Sequence, residues 1–176
     1  MRVIVTGASR GMGKAIAEIF AKAGWEVLIS ARNQAKLDAV AQEIMQRNPG
    51  SKVMGKAADA TIPDQVRAFG SWCLEQGEPD VLVNNAGIVR DRMIANTSET
   101  EFDAVIAVHL KGHFAPSRWA AAYWREQFKA GVTKQRHIVH TSSTSGLFSN
   151  PGQSNYGAAK TGIATFSQIL AKELSR

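Results

Sequence analysis

Ser143, Tyr156 and Lys160 are the residues of this chain whose types and spacing could do proton chemistry. Tyr156 and Lys160 lie four apart, which on a helix points both from one face. A free phenol has a pKa near about 10 and is a poor proton shuttle at neutral pH. A neighbouring ammonium favours the phenolate, so the pair reads as a proton donor and acceptor tuned toward neutrality. Ser143, thirteen residues before Tyr156, offers a hydroxyl that can hold a reacting oxygen. Ser142 is the adjacent candidate, and if a strand ran through both, their side chains would face opposite ways. A second chemistry is written in Thr6-Gly7-Ala8-Ser9-Arg10-Gly11-Met12-Gly13. Glycines spaced G-x-x-x-G-x-G permit a tight turn and let backbone N–H groups approach a phosphate. Each signal taken alone has a plainer reading: a packing tyrosine, a chance Tyr-x-x-x-Lys, a glycine kept for turn geometry.

These residues need elements to position them, and the periodicity supplies them. Val3 to Thr6 reads as a buried strand, followed by a helix striped by Ala15, Ile16, Ile19, Phe20 and Ala23 and closed by Gly24. Glu26 to Ser30 is a second strand, Gln34 to Arg47 a second helix ended by Asn48-Pro49-Gly50, and Lys52 to Ala57 a third strand. Thr61 is expected to cap a helix that has Pro63 in its first turn. Asp80 to Asn84 is a fourth strand, and a loop from Ala86 to Asn96 leads to a capping-box spacing at Ser98 and Glu101 that opens one long helix. Ile138 to Ser142 is a fifth strand, and a last helix runs from about Asn155 onward. Strand-helix alternation predicts a single doubly wound α/β domain over 1–176: a parallel sheet between two helical layers, ligands at the carboxyl ends of its strands.

Composition narrows the classes. With 44% hydrophobic and 20% charged residues the chain is globular, not disordered. The formal charge of +6 is spread from Arg2 to Arg176 with no run of five or six cations, so nucleic acid is not an expected partner. A positive surface suits an anionic small molecule instead. The apolar runs are too short to cross a bilayer, and Cys73 has no second cysteine to pair with. The chain opens directly on a strand with no signal-peptide pattern, so a cytoplasmic protein is expected. His109 and His113 have i, i+4 metal-ligand spacing but lack an acidic or cysteine partner, so no metal is expected.

Four stretches in register carry a resemblance that spans the whole chain. The glycine turn, Asn84-Asn85-Ala86-Gly87 after the fourth strand, Ser143, and Tyr156-x-x-x-Lys160 are together similar to the short-chain dehydrogenase/reductase family. The resemblance implies a nicotinamide cofactor held by Gly7, Ser9, Arg10, Gly11, Met12, Gly13, Asp59, Asn85, Ala86 and Gly87, with Lys160 on the ribose and Tyr156 beside the nicotinamide. Asp59 matches the family's adenine-contacting position. Members that bind NAD place an acidic residue at the end of strand two; Ala31 and then Arg32 stand there, and a guanidinium can take a 2′-phosphate, so NADP(H) is expected.

On the same resemblance, Tyr156 gives a proton to a carbonyl oxygen held by Ser143 as hydride reaches carbon. Where the family carries Asn in a V-N-L-K-G segment, this chain has Val108-His109-Leu110-Lys111-Gly112, as resembles the hydroxyacyl-CoA dehydrogenase part of the peroxisomal multifunctional enzyme. His109 is expected to hydrogen-bond a relay water and to titrate near neutrality. Gly152-Gln153-Ser154-Asn155-Tyr156 is most like 3-oxoacyl-[acyl-carrier-protein] reductases, which implies a carbonyl/alcohol substrate on an acyl-carrier-protein or CoA thioester. The alternatives are a 3-hydroxyacyl-CoA or other secondary-alcohol dehydrogenase and, from another class, a cofactor-binding fragment without turnover. That last reading draws on the strands, Pro-Gly segment and substrate-covering helices that family members carry beyond this point. Apolar residues on the long helix (Phe102, Val105, Ile106, Phe114, Trp119, Tyr123, Trp124) predict a homodimer or homotetramer.

Overall fold

Along the first strand Val3 and Val5 point to one face and Ile4 to the other, and this alternation decides the layering. A computed structural model describes residues 1–175. The first half comprises β1 (Arg2–Thr6), α1 (Gly11–Lys22), β2 (Glu26–Ala31), α2 (Gln34–Arg47), β3 (Lys52–Ala57) and α3 (Pro63–Gln76). The second comprises β4 (Val81–Asn84), a 3-10 turn (Ile94–Asn96), α4 (Glu99–Ile106), a π-helical turn (Ala107–Lys111), α5 (Gly112–Lys129), β5 (His137–His140), α6 (Thr144–Phe148) and α7 (Ser154–Leu174). The strands pair in parallel in the order β3-β2-β1-β4-β5, so the chain reverses its winding between β1 and β4. The C-terminal ends of those two strands border the crevice where doubly wound sheets bind ligands.

Val3, Val5, Val27, Ile29 and Val83 pack under α1 and α2, against Ala17, Ala21, Leu37 and Ile44. Ile4, Leu28 and Leu82 pack on the opposite face against Phe69 and Cys73 of α3 and Ala120 and Trp124 of α5. Side chains of that size contribute roughly 1.5–3 kcal/mol each when fully buried. Gly24 stands just past α1 at φ +79, a left-handed turn that suits glycine.

Four sequence expectations are corrected. Ile62, not Thr61, precedes α3 as its N-cap; Thr61 instead donates its hydroxyl to Asp59 Oδ1 (2.7 Å) in a turn. The long helix is two helices around a π turn, in which the Gly112 N–H reaches back to the Ala107 carbonyl. β5 ends at His140, so Ser142 and Ser143 sit in a loop and strand alternation does not separate them. Val105 and Trp124 are core residues, the indole donating to the Pro79 carbonyl (3.1 Å), which leaves Phe102 and Phe114 as exposed apolar groups of that set.

Candidate functional site

The glycine turn is built by contact with the loop after β4. Thr6 Oγ1 accepts the N–H groups of Asn85 (3.0 Å) and Ala86 (3.2 Å), and Asn85 Nδ2 donates to the carbonyls of Thr6 (3.2 Å) and Gly7 (3.3 Å). Glycine is required where these segments meet. A Cβ on Gly7 would stand 2.6 Å from Ala86 Cα at φ +67, and one on Gly13 would stand 2.4 Å from the Gly7 carbonyl oxygen. Gly11 is different: its φ is +55, yet a Cβ there would meet nothing within 4 Å. It lines open space at the start of α1, where Arg10 holds the N-cap position with no side-chain capping bond. A helix start with open first-turn amides, glycine walls and a positive macrodipole end fits a dinucleotide's pyrophosphate. Ser9 is half-buried in this turn, while Arg10, Met12 and, at the end of β2, Arg32 are exposed. Asp59, just past β3, uses Oδ1 to accept the Thr61 N–H (2.9 Å).

Across the crevice the reacting groups come from β5, α6 and α7. Ser143 caps α6, its Oγ accepting the Ser145 N–H (3.2 Å). Tyr156 lies in the first turn of α7, and Lys160 one turn on places Nζ 5.6 Å from the Tyr156 ring centre. Lys160 is buried; its ammonium donates to the Thr141 carbonyl (2.5 Å) at the end of β5. Burial holds its pKa down at about 8, which leaves it largely charged at neutral pH. The adjacent Ser142 is turned to the Lys160 carbonyl (3.2 Å).

His109 sits in the π turn, edge-on to Tyr156 with ring centres 5.1 Å apart. Its Nε2 lies 2.6 Å from the Ile88 carbonyl oxygen, a contact that requires the proton on Nε2. The Ile88 N–H, 3.1 Å from the same nitrogen, is then not its bonding partner. Nδ1 is left buried as an unpartnered acceptor. The close fit extends to Gly87, where a Cβ would stand 2.6 Å from the ring. Burial, with Lys160 adding to it, pushes the His109 pKa down to about 4, against the expectation of titration near neutrality. Behind it, His113 and His140 stack at 5.5 Å, and burial likewise depresses them to about 3 and about 4. Asn84 donates to Ser117 Oγ (2.8 Å) beside this pair. At neutral pH the cluster therefore carries the Lys160 charge among neutral imidazoles. Among the described residues no group of three or more His, Cys, Asp or Glu could hold a metal ion, and no helix is long and apolar enough to cross a membrane.

The fold thus pairs Tyr156 with Lys160 and His109, and sets His109 against Gly87 and Ile88 of the loop after β4. It packs the Gly7 to Gly13 turn against Asn85 and Ala86 of the same loop, while Ser143 caps α6 and Arg32 and Asp59 stand just past β2 and β3. Thr6, Thr141, Asp91, Gln153 and Asn155 also shape the site. No spacing rule singles them out, because their roles are contacts between distant segments. Thr6 stands in the glycine motif and Gln153 and Asn155 in the Gly152 to Tyr156 segment, so the sequence marked those segments without marking these contacts.

The chain matches, over residues 1–176, the family model described as short chain dehydrogenase. It is 42% identical to the hydroxyacyl-CoA dehydrogenase ChsB1 of Mycobacterium tuberculosis, over 98% of this chain and 56% of that protein. It is 37% identical to the 3-oxoacyl-[acyl-carrier-protein] reductase FabG of Thermotoga maritima, over 98% of this chain and 67% of that protein. A crystal structure of a short chain dehydrogenase from Mycobacterium avium superposes with a TM-score of 0.94 at 47% identity, covering 99% of this chain and 63% of that one. The chain thus spans between about half and two thirds of the length of the relatives it matches.

Proposed function

The chain belongs to the short-chain dehydrogenase family, and from that premise we propose that it is an NADPH-dependent oxidoreductase that reduces a 3-oxoacyl thioester to the secondary alcohol. The observation that carries this reading is the pairing of Tyr156 with the buried ammonium of Lys160, whose Nζ lies 5.6 Å from the Tyr156 ring centre. Gly7, Ser9, Gly11, Met12, Gly13, Asp59 and the Asn85 to Gly87 loop would hold a dinucleotide, which when bound would supply the hydride. Ser143 donates a hydrogen bond to the carbonyl oxygen and fixes its place. Tyr156 passes its proton to that oxygen, and the Lys160 ammonium stabilises the phenolate left behind. Lys160 would also hold the ribose hydroxyls of the bound nucleotide, as the family resemblance implies. His109, its Nε2–H tied to Ile88, holds the loop wall and offers Nδ1 as an acceptor for a relay water.

NADPH is preferred to NADH because Arg10 and Arg32 stand exposed at the ends of β1 and β2, with Ala31 where a carboxylate would repel a 2′-phosphate. The positive surface suits an acyl-carrier-protein or CoA thioester in a cytoplasmic setting, and the exposed Phe102 and Phe114 suit assembly as a dimer or tetramer. A second reading, a 3-hydroxyacyl-CoA dehydrogenase running the same chemistry oxidatively, is favoured by His109 and by the hydroxyacyl-CoA dehydrogenase among the relatives.

Fluorescence titration with NADPH and NADH tests the cofactor. We expect NADPH to bind more tightly, and Arg32→Asp to weaken it by about tenfold or more while sparing NADH. Equal affinities that the substitution leaves alone would contradict the assignment.

A further inference from the structure

One side chain, Gln153, bonds both to α6 and to the loop after β4. Its Oε1 accepts from the buried Ser145 hydroxyl (2.7 Å) and from Asn150 Nδ2 (3.3 Å), and its Nε2 donates to Asp91 Oδ2 (2.9 Å). Two donors on one end and a carboxylate on the other leave the amide a single orientation. The backbone reinforces the join. Arg92 N–H donates to the Gly152 carbonyl (2.8 Å), Arg92 and Gln153 form a short parallel bridge, and Asn155 Nδ2 donates to the Arg90 carbonyl (3.2 Å). The Gln153 carbonyl in turn accepts the Gly157 N–H (2.7 Å) in the first turn of α7.

Gln153 therefore touches the element Ser143 caps, the element that carries Tyr156 in its first turn, and the loop that continues from Gly87 and Ile88. We propose that Gln153 is a positioning residue: its amide, bridging Ser145 and Asp91, sets Ser143 relative to Tyr156 and locks both against the loop after β4. This role rests on the oxidoreductase reading above. Small displacements at such a site are felt in rate, because proton and hydride transfer need aligned atoms. The chemistry demanded at the position is specific. A side chain of this length must accept at one end and donate at the other, which Gln does; Glu sets a second carboxylate against Asp91.

The test exploits that polarity. Gln153→Glu should lower kcat for NADPH-dependent reduction of acetoacetyl-CoA by about tenfold with a much smaller change in the KM for NADPH, since the Gly7 to Gly13 turn lies outside the bridge. Adding Asp91→Asn gives the new carboxylate a donor and should return kcat to within about threefold of the starting chain. Asp91→Lys, at an exposed position that threatens no core, sets donor against donor and should reproduce the Gln153→Glu loss.

Backbone amide exchange at Ser145 and Arg92 reads the bridge without turnover. It should quicken in Gln153→Glu and recover in the double variant. Unchanged kcat and exchange in Gln153→Glu, or a loss that Asp91→Asn does not rescue, would overturn the proposal. If the starting chain reduces no thioester, the reductase reading and the catalytic role fall together, whereas unchanged exchange in an active chain overturns the bridge alone.

Discussion

The two halves of the sheet are built on different terms. The nucleotide half, β1 to β3 with α1 and α2, is closed by alternating aliphatic residues, and its charges sit at the surface. There Glu26 is held low by Lys52 and Arg2, and Glu43 by Lys14, pairs too exposed to add much stability. The reacting half, from β4 to α7, buries polar groups instead: Asn84, His109, His113, Ser117, Asn155 and Lys160. Several buried nitrogens there, His109 Nδ1 and both of His113 among them, have no hydrogen-bond partner. Its main helix is interrupted by a π turn at His109, the kind of irregularity that recurs at functional sites. One half is filled by aliphatic packing, and the other holds groups in states that water would not allow. Stability and chemistry should therefore respond to different substitutions.

The largest effect belongs to the reacting half. Tyr156→Phe should leave folding and NADPH binding intact and lower kcat by about 100-fold to 10,000-fold, read in a steady-state assay with acetoacetyl-CoA. In the nucleotide half the comparison lies between two glycines. Gly13→Ala forces a methyl onto the Gly7 carbonyl and the Asn85 amide, and should destabilise by about 1–3 kcal/mol and weaken NADPH binding along with it. Gly11→Ala meets no atom, so only its left-handed φ opposes it, at about 1 kcal/mol. Urea denaturation of the pair would separate clash from backbone strain.

Acid should unfold the molecule through its reacting half. Unfolded imidazoles titrate near about 6.5, whereas burial lowers His109 and His140 to about 4 and His113 to about 3. Between those values the unfolded chain binds more protons, so stability is full above pH 6.5 and drains away as pH falls toward 4. Each histidine accounts for on the order of 1–2 kcal/mol by pH 5. Lys160, lowered from 10.5 to about 8 by burial, acts in another window: stability attributable to it rises as pH climbs from 8 to 10.5. His113→Phe should flatten the acid limb of a pH–stability curve; an unchanged limb would remove the buried imidazoles as its cause.

The smallest effect contrasts neighbours. Ser143→Ala should cost about tenfold to 100-fold in kcat, whereas Ser142→Ala, which loses only a bond to the Lys160 carbonyl, should stay within about twofold.

The nucleotide half was legible in sequence because short-range rules govern it: period-two strands, striped helices and glycines at a βα turn. The parallel, doubly wound architecture followed from the same signals, whereas the strand order did not, and the grouping of Ser143 with Tyr156 and Lys160 rested on the family resemblance. What escaped were features decided by tertiary contact. The π turn at Ala107–Lys111 preserves the apolar spacing of an ordinary helix, so periodicity cannot reveal it. Thr61 looks like a cap, but Asp59 competes for its hydroxyl. His109 looks titratable until the walls around it are known. The Gln153 bridge joins residues sixty-two positions apart, from Asp91 across the crevice, and no local pattern records such a pairing.

The central claim is that Tyr156 passes a proton to a carbonyl while NADPH gives up its hydride. Loss of nicotinamide absorbance on mixing the chain with NADPH and acetoacetyl-CoA, measured beside Tyr156→Phe, tests it most directly. Oxidation of NADPH by the unaltered chain, nearly abolished by the substitution while NADPH still binds, is the predicted result. Equal oxidation by both proteins would contradict it.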